Sequence, residues 1–145
     1  LLLDDIYKNN HRALSNILTV NRKVFDSAVL ETFAKAHDCC SIAPYSNWDC
    51  TKTRYYHNDE YYEPHTDKSM QFLAFSYFHK EPKKFSGGDL IFPKYDYKFE
   101  CPNNSLIMMP GWVEHGVSKV KIEDSEYYDG YGRYSITSFF GNKKA

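Results

Sequence analysis

His65-Thr66-Asp67 sets an imidazole and a carboxylate two residues apart. On an extended strand, residues i and i+2 project to the same face, so two ligands of different type can meet one ion. A second imidazole, His115, sits in a further strand-like run from Glu114 to Val120. Two neutral imidazoles and one carboxylate form the facial triad that suits non-haem Fe(II). Such a triad covers one face of an octahedron and leaves the other open for a chelating cosubstrate and dioxygen. The candidate metal ligands, and with them the candidate catalytic residues, are His65, Asp67 and His115.

Arg133-Tyr134-Ser135 opens the last strand-like run, and alternation puts Arg133 and Ser135 on one face. A guanidinium and a hydroxyl aimed inward are costly to bury without a partner. A ligand carboxylate would satisfy both, with Arg offering two parallel hydrogen bonds. The competing reading has Arg133 capping a sheet edge or pairing with Asp124 or Glu126, and the residues alone leave both open. His37, Cys39, Cys40 and Cys50 could in principle bind zinc. No CxxC pair is present, however, and buried or incidental thiols are the better reading. His57 and His79 read as surface or packing histidines.

Taken in order, His65-Thr66-Asp67, His115 and Arg133-Tyr134-Ser135 resemble the signature of Fe(II)- and 2-oxoglutarate-dependent oxygenases. The resemblance is to the prolyl 4-hydroxylase-like branch in particular. A Tyr commonly precedes the metal His by three residues there, as Tyr62 does here, and Tyr55 and Tyr56 sit where a further pocket Tyr is found. Ser76-Tyr77-Phe78-His79 resembles a Tyr-Leu-Asn strand end, and Ser86 to Pro93 resembles a Gly-Gly-Glu-Thr-x-Phe-Pro hairpin. Ser105 to Pro110 resembles the strand leading to the second His, and the whole match runs from about residue 51 to 141. Asp89 and His79 depart mildly from the usual Glu and Asn. Lys121 to Gly132 looks like an insertion, which leaves Lys119 or Lys121 as alternatives for the role of Arg133.

The resemblance implies that His65, Asp67 and His115 hold Fe(II), and that 2-oxoglutarate chelates it with its far carboxylate on Arg133, helped by Ser135 and Tyr77. Tyr56 and Tyr62 are the remaining cosubstrate-pocket candidates, while Trp112, Glu114 and Tyr55 are candidates for substrate contact. Dioxygen is the co-reactant, ascorbate a candidate auxiliary reductant, and succinate and carbon dioxide the by-products. The implied reaction is hydroxylation of an unactivated C–H bond, with a peptidyl proline foremost. A free amino acid or another small molecule would use the same centre. Asp67 is a carboxylate, whereas related halogenases need a small residue there, so halogenation is disfavoured. Two rivals stand beside this: a non-catalytic jelly-roll binding module, and a cupin-type hydrolase or isomerase using Zn or Mn.

The elements that must position these residues are short. Val24, Phe25, Ala28, Val29, Phe33 and Ala36 fall near helical spacing, with Asn21 as N-cap, and His11 to Val20 offers a second helix. After Pro44, strand-like runs alternate with turn residues: 51–57, 61–66, 71–79, 89–92, 97–100, 105–109, 114–120 and 133–140. This spacing predicts an antiparallel sandwich or barrel. With the resemblance, the expected class is mainly β with N-terminal helices (α+β), a double-stranded β-helix or jelly-roll barrel. One domain spans residues 1–145, with supporting helices to about 40 and the jelly-roll core over about 50–141. The acidic stretch 123–130 reads as an exposed connection.

Composition narrows the partners. The 145 residues carry 18 basic and 19 acidic side chains, a net charge of −1, so no nucleic-acid partner is expected. No apolar run reaches the roughly 18 residues of a membrane span, so no membrane is expected either. The expected partner is a peptide or small-molecule substrate, and the chain is read as monomer or dimer. Irregularly spaced cysteines point to a reducing, cytoplasmic setting. A start at Leu1 rather than Met suggests a trimmed chain. Aromatics make up 17%, including 13 Tyr, more than so small a core can hide, so some should wall a pocket or rim a groove.

Overall fold

The structure is a computed structural model that describes residues 15–123 and 129–143. Helices α1 (Leu18–Val24) and α2 (Ser27–Ala36) come first. The strands that follow are β1 (Trp48–Tyr56), β2 (Tyr62–His65), β3 (Phe72–Phe78), β4 (Phe85–Ser86) and β5 (Leu90–Phe92), then β6 (Tyr97–Phe99), β7 (Ser105–Pro110), β8 (His115–Val117), β9 (Lys121–Ile122) and β10 (Arg133–Gly141).

The apolar spacing from Val24 to Ala36 predicts one helix, yet the chain breaks at Phe25 and Asp26. Asp26 leaves helical geometry, and its carboxylate accepts the Ala28 N–H at 3.0 Å. This satisfies one of the orphan donors at a helix start. Asp26 is therefore the N-cap of α2, and Asn21 lies inside α1. Of the expected helix at His11 to Val20, residues 11–14 lie outside the described residues.

Two four-stranded antiparallel sheets face each other, in the orders β1-β10-β3-β7 and β2-β8-β5-β6. This is a two-layer jelly roll. Among the described residues no ladder joins the two sheets, so the expected jelly roll takes the two-sheet, sandwich form. A small ribbon, β4 with β9, lies apart and is too short for any periodicity to announce it.

Alternation sorts the first sheet into two faces. Phe72 and Ala74 of β3 and Phe140 of β10 meet Val24, Leu30 and Phe33 from the helices. Phe72 and Phe140 stack at 4.3 Å, and Phe25 stands edge-on to Phe140 at 4.8 Å. Leu73, Phe75, Tyr77, Met109 and Phe139 point the other way and pack on Leu90, Phe92, Phe99 and Val113 between the sheets. That inner face also carries polar rows. Arg54, Ser135, Tyr77 and Ser105 lie in register across β1, β10, β3 and β7, and Tyr56 pairs with Arg133 in the adjacent row.

Candidate metal centre

His65 ends β2 and His115 begins β8, and the two are direct cross-strand partners with ring centroids 4.5 Å apart. Asp67 arrives differently from the expected strand position. β2 stops at His65, and Asp67 lies in the turn beyond, where its N–H donates to the Gly111 carbonyl at 2.8 Å. The turn still delivers the carboxylate: His65 Nε2 and His115 Nε2 are each 3.7 Å from Asp67 Oδ2. One candidate ligand atom from each residue lies within 4.8 Å of the others.

Both imidazoles are oriented the same way. His65 Nδ1–H donates to the Glu63 carbonyl at 2.9 Å, and His115 Nδ1–H donates to the Val113 carbonyl at 2.9 Å. A carbonyl only accepts, so each Nδ1 carries the proton and each Nε2 presents its lone pair towards Asp67. Burial holds the His115 imidazole below its ordinary pKa, against the opposing pull of its bond to Val113, which favours the neutral ligand form. Two neutral nitrogens and one carboxylate oxygen converging in this way fit a divalent transition metal. Among the described residues no other such group assembles, so the zinc alternative at His37, Cys39, Cys40 and Cys50 does not form.

The triad opens into a small cavity that also takes in Arg133, Ser135, Tyr77, Tyr56 and Tyr62. Arg133 is 3% exposed and its guanidinium sits over the rings of Tyr77 at 4.6 Å and Tyr56 at 4.9 Å. Among the described residues its Nε and Nη1 have no hydrogen-bond partner, and neither has the hydroxyl of Tyr77, which is 1% exposed. Nη2 is 4.0 Å from Cys101 Sγ. Burial pushes the Tyr77 phenol well above its ordinary pKa, so it is a proton donor at neutral pH. A buried cation and a buried donor, both unmatched on one wall, fit the carboxylate of a small ligand.

Backbone geometry makes room for this cation. Gly88 has φ +70, and a Cβ placed there would lie 2.7 Å from Arg133 Cδ. Lys119 and Lys121, the alternatives for Arg133, turn outward onto Asp59, and Lys121 holds that carboxyl below the usual carboxylate range. Asp124 and Glu126 lie outside the described residues.

The other sequence candidates fall elsewhere. Trp112 is 53% exposed, Glu114 is exposed too, and neither lines the triad cavity. The turn closed by the Val113 N–H on the Pro110 carbonyl carries them past the strand end. Tyr55 lies on the opposite face of β1 from Tyr56, where its hydroxyl accepts the Gly132 N–H at 3.1 Å. It belongs to a second, wider groove with Tyr61, Tyr62 and Tyr134. His57 is buried beside Tyr55, at 5.9 Å between rings, and stands outside the triad. Arg54 and Thr137 line the triad cavity and were not singled out from sequence. For Arg54 a signal existed, because it shares the strand face of Tyr56 two residues on.

Comparison with known proteins gives a consistent picture. The family model described as the 2OG-Fe(II) oxygenase superfamily matches residues 50–141. No curated protein matches the sequence. Among solved structures, the chain is similar to a Burkholderia pseudomallei oxidoreductase of the 2OG-Fe(II) oxygenase family (TM-score 0.61, 13% identity, 93% of this chain and 58% of that one). It is also similar to a Pseudomonas putida prolyl-4-hydroxylase (TM-score 0.54, 17% identity, 80% of this chain and 66% of that one). A third is NgTET1 in complex with 5mC DNA (TM-score 0.54, 14% identity, 98% of this chain and 59% of that one). At these identities the likeness is one of fold, and the chain spans about three-fifths to two-thirds of each structure's length. The third corrects one expectation. The absence of a nucleic-acid partner was argued from net charge, yet this fold is shared with a protein seen on DNA, so an overall charge near zero does not exclude one. Among the described residues no helix is long and apolar enough to cross a membrane.

Proposed function

The chain belongs to the 2OG-Fe(II) oxygenase superfamily, whose chemistry implies Fe(II), 2-oxoglutarate and dioxygen, and from that premise we propose that it hydroxylates an unactivated C–H bond, most specifically in a peptidyl proline. In this reading His65, Asp67 and His115 are the metal ligands, and residues 50–141 are the catalytic core of a single domain. Arg133, Ser135 and Tyr77 take the far carboxylate of 2-oxoglutarate. Ascorbate would serve as an auxiliary reductant. The observation that carries the proposal is Arg133: a buried guanidinium whose Nε and Nη1 have no partner among the described residues, in one cavity with two oriented imidazoles and a carboxylate.

When bound, iron and 2-oxoglutarate supply the oxygen-dependent oxidation, with release of succinate and carbon dioxide. The chain supplies position and environment. His65 and His115 keep their protons on Nδ1 against backbone carbonyls, so both Nε2 atoms are ready to ligate. Tyr77, held protonated by burial, donates to an anion beside Arg133. Phe75, Leu90, Val117 and Phe139 give the cavity apolar walls that limit water.

The direct test is spectroscopic. Fe(II) and 2-oxoglutarate, mixed with the protein without oxygen, should give a metal-to-cosubstrate charge-transfer band. The band should vanish in His65→Ala and weaken in Arg133→Gln at limiting 2-oxoglutarate. A folded, iron-loaded wild-type protein with no band would overturn the reading. Succinate release with proline-containing peptides, set against free amino acids, then tests the substrate.

A further inference from the structure

We propose that Arg54 binds a carboxylate of the substrate, so that the oxidised C–H bond belongs to an anionic, amino-acid-like compound or peptide segment. The inference rests on reading the triad cavity as the oxygenase site.

Arg54 lies in the middle of β1, with Ser135 of β10 as its cross-strand partner. Its Nη1 donates to Thr137 Oγ1 at 3.1 Å, and its guanidinium lies 5.5 Å from the centroid of Tyr62. Tyr62 in turn stands edge-on to the His65 ring at 4.6 Å. The cation is thus fixed one aromatic ring away from a metal ligand. It is half-buried, and among the described residues no carboxylate lies within ion-pair distance of it.

Charge balance says what is missing. The two positive charges of Fe(II) and the charge of Arg133 are matched by Asp67 and the 2-oxoglutarate dianion. Arg54 is left over. An uncompensated cation beside a low-dielectric cavity favours an anion there. The cosubstrate is already served by Arg133, Ser135 and Tyr77, so the anion is assigned to the substrate.

Position supports the same assignment. Arg54 lines both the triad cavity and the wider groove of Tyr55, Tyr61, Tyr62 and Tyr134. The acidic residues of that groove are engaged: Asp59 with Lys119 and Lys121, and Glu60 as acceptor for the His57 backbone N–H. Arg54 is therefore the groove's one cationic side chain among the described residues, and it has no carboxylate partner there. A guanidinium with one N–H spent on Thr137 keeps further donors for a planar carboxylate.

The probes are N-acetyl amino acids as free acids and as primary amides, including N-acetyl-aspartate and N-acetyl-glutamate amides. The last two offer a side-chain carboxylate and separate that source from a terminal one. Binding is read by ligand-observed NMR on protein loaded with Mn(II) and 2-oxoglutarate, without turnover. Free acids, or the two acidic amides, should bind at least about tenfold tighter than their neutral counterparts, as a charge-assisted pair allows. Arg54→Gln should abolish the preference and Arg54→Lys restore part of it. Both variants should keep 2-oxoglutarate affinity within about twofold, which also reports that they fold. Equal binding of acids and neutral counterparts, including none by either, overturns the proposal. So does a preference that survives in Arg54→Gln, or loss of 2-oxoglutarate binding in that variant alone. Failure of wild-type protein to bind 2-oxoglutarate at all would instead sink the oxygenase reading beneath it.

Discussion

His65 and His115 stand directly opposite each other across β2 and β8, and each donates Nδ1–H to the carbonyl two residues before it in its own chain segment. Strand pairing sets the separation, and the two matching hydrogen bonds set the ring orientation. The site is thus preorganised by backbone, which side-chain substitutions elsewhere leave intact.

A metal bound to the folded state alone should therefore raise stability. At a free metal concentration one hundred times Kd the gain is about 2.7 kcal/mol. For a chain of this length that is a shift in Tm on the order of 5–10 °C. Thermal melts with Fe(II) or Mn(II) under anaerobic conditions should show it, and EDTA should reverse it. His115→Ala should remove the shift while retaining a cooperative melt. An undiminished shift in that variant would place the metal elsewhere.

Arg133 gives a prediction with two opposite signs. Burying an unpaired ion costs several kcal/mol, whereas contacts with aromatic faces return about 0.5–2 kcal/mol each. Desolvation wins over the contacts with Tyr56 and Tyr77 while no ligand anion is present. Arg133→Met should therefore leave the ligand-free protein as stable as wild type, or more stable by about 1–4 kcal/mol. The same change should weaken 2-oxoglutarate at least about a hundredfold, in keeping with truncation of one partner of a buried charge pair. Urea titration and isothermal calorimetry measure the two effects. Strong destabilisation of the ligand-free form would mean that Arg133 is a structural cation.

Much of this was legible in the sequence because long strands keep their alternation. β3 is a nearly continuous apolar and aromatic run, and in β10 the parity that pairs Arg133 with Ser135 holds in the sheet. Short elements were less legible. β8 was expected to run to Val120 but ends at Val117, because Ser118 turns to bond Asp89, its hydroxyl accepting the Asp89 N–H. The break in the front helix was hidden because Val24, Phe25 and Ala28 keep helical spacing across Asp26. Trp112 and Glu114 are near His115 along the chain, but the turn after Pro110 carries them away from the triad cavity. Arg54 is hard to read from sequence because a basic residue on an alternating strand is ordinarily solvated.

Gly88 links the loop before β5 to Arg133, the residue proposed to hold the cosubstrate. Its φ of +70 is a region that L side chains rarely adopt, and a Cβ would meet Arg133 Cδ at 2.7 Å and Val120 Cγ2 at 3.1 Å. The backbone strain in Gly88→Ala is about 1–2 kcal/mol, before any displacement of Arg133. We expect a destabilised protein whose 2-oxoglutarate affinity falls by more than its metal affinity, since the triad is untouched. Chemical denaturation with parallel titrations of Mn(II) and 2-oxoglutarate checks this, and equal losses for the two ligands would count against the specific coupling of Gly88 to Arg133.

Tyr77 and Tyr56 make the alkaline limb of stability informative. Burial raises both phenols above the ordinary value near 10, so the folded protein holds their protons longer than the unfolded chain does. Their contribution is fully present below pH 10. It is lost as pH climbs from the unfolded pKa towards the folded ones, with a slope of up to about 1.4 kcal/mol per pH unit for each residue. Tyr77→Phe should remove one residue's share of that slope and cost little at pH 7, because the hydroxyl it deletes is buried and unpartnered without ligand. The same variant should bind 2-oxoglutarate about tenfold more weakly, having lost a donor beside Arg133. Denaturant midpoints measured from pH 7 to 11, together with a 2-oxoglutarate titration at neutral pH, separate the two roles. An unchanged alkaline slope in Tyr77→Phe would show that its proton is not held by folding, and unchanged 2-oxoglutarate affinity would remove Tyr77 from the carboxylate site.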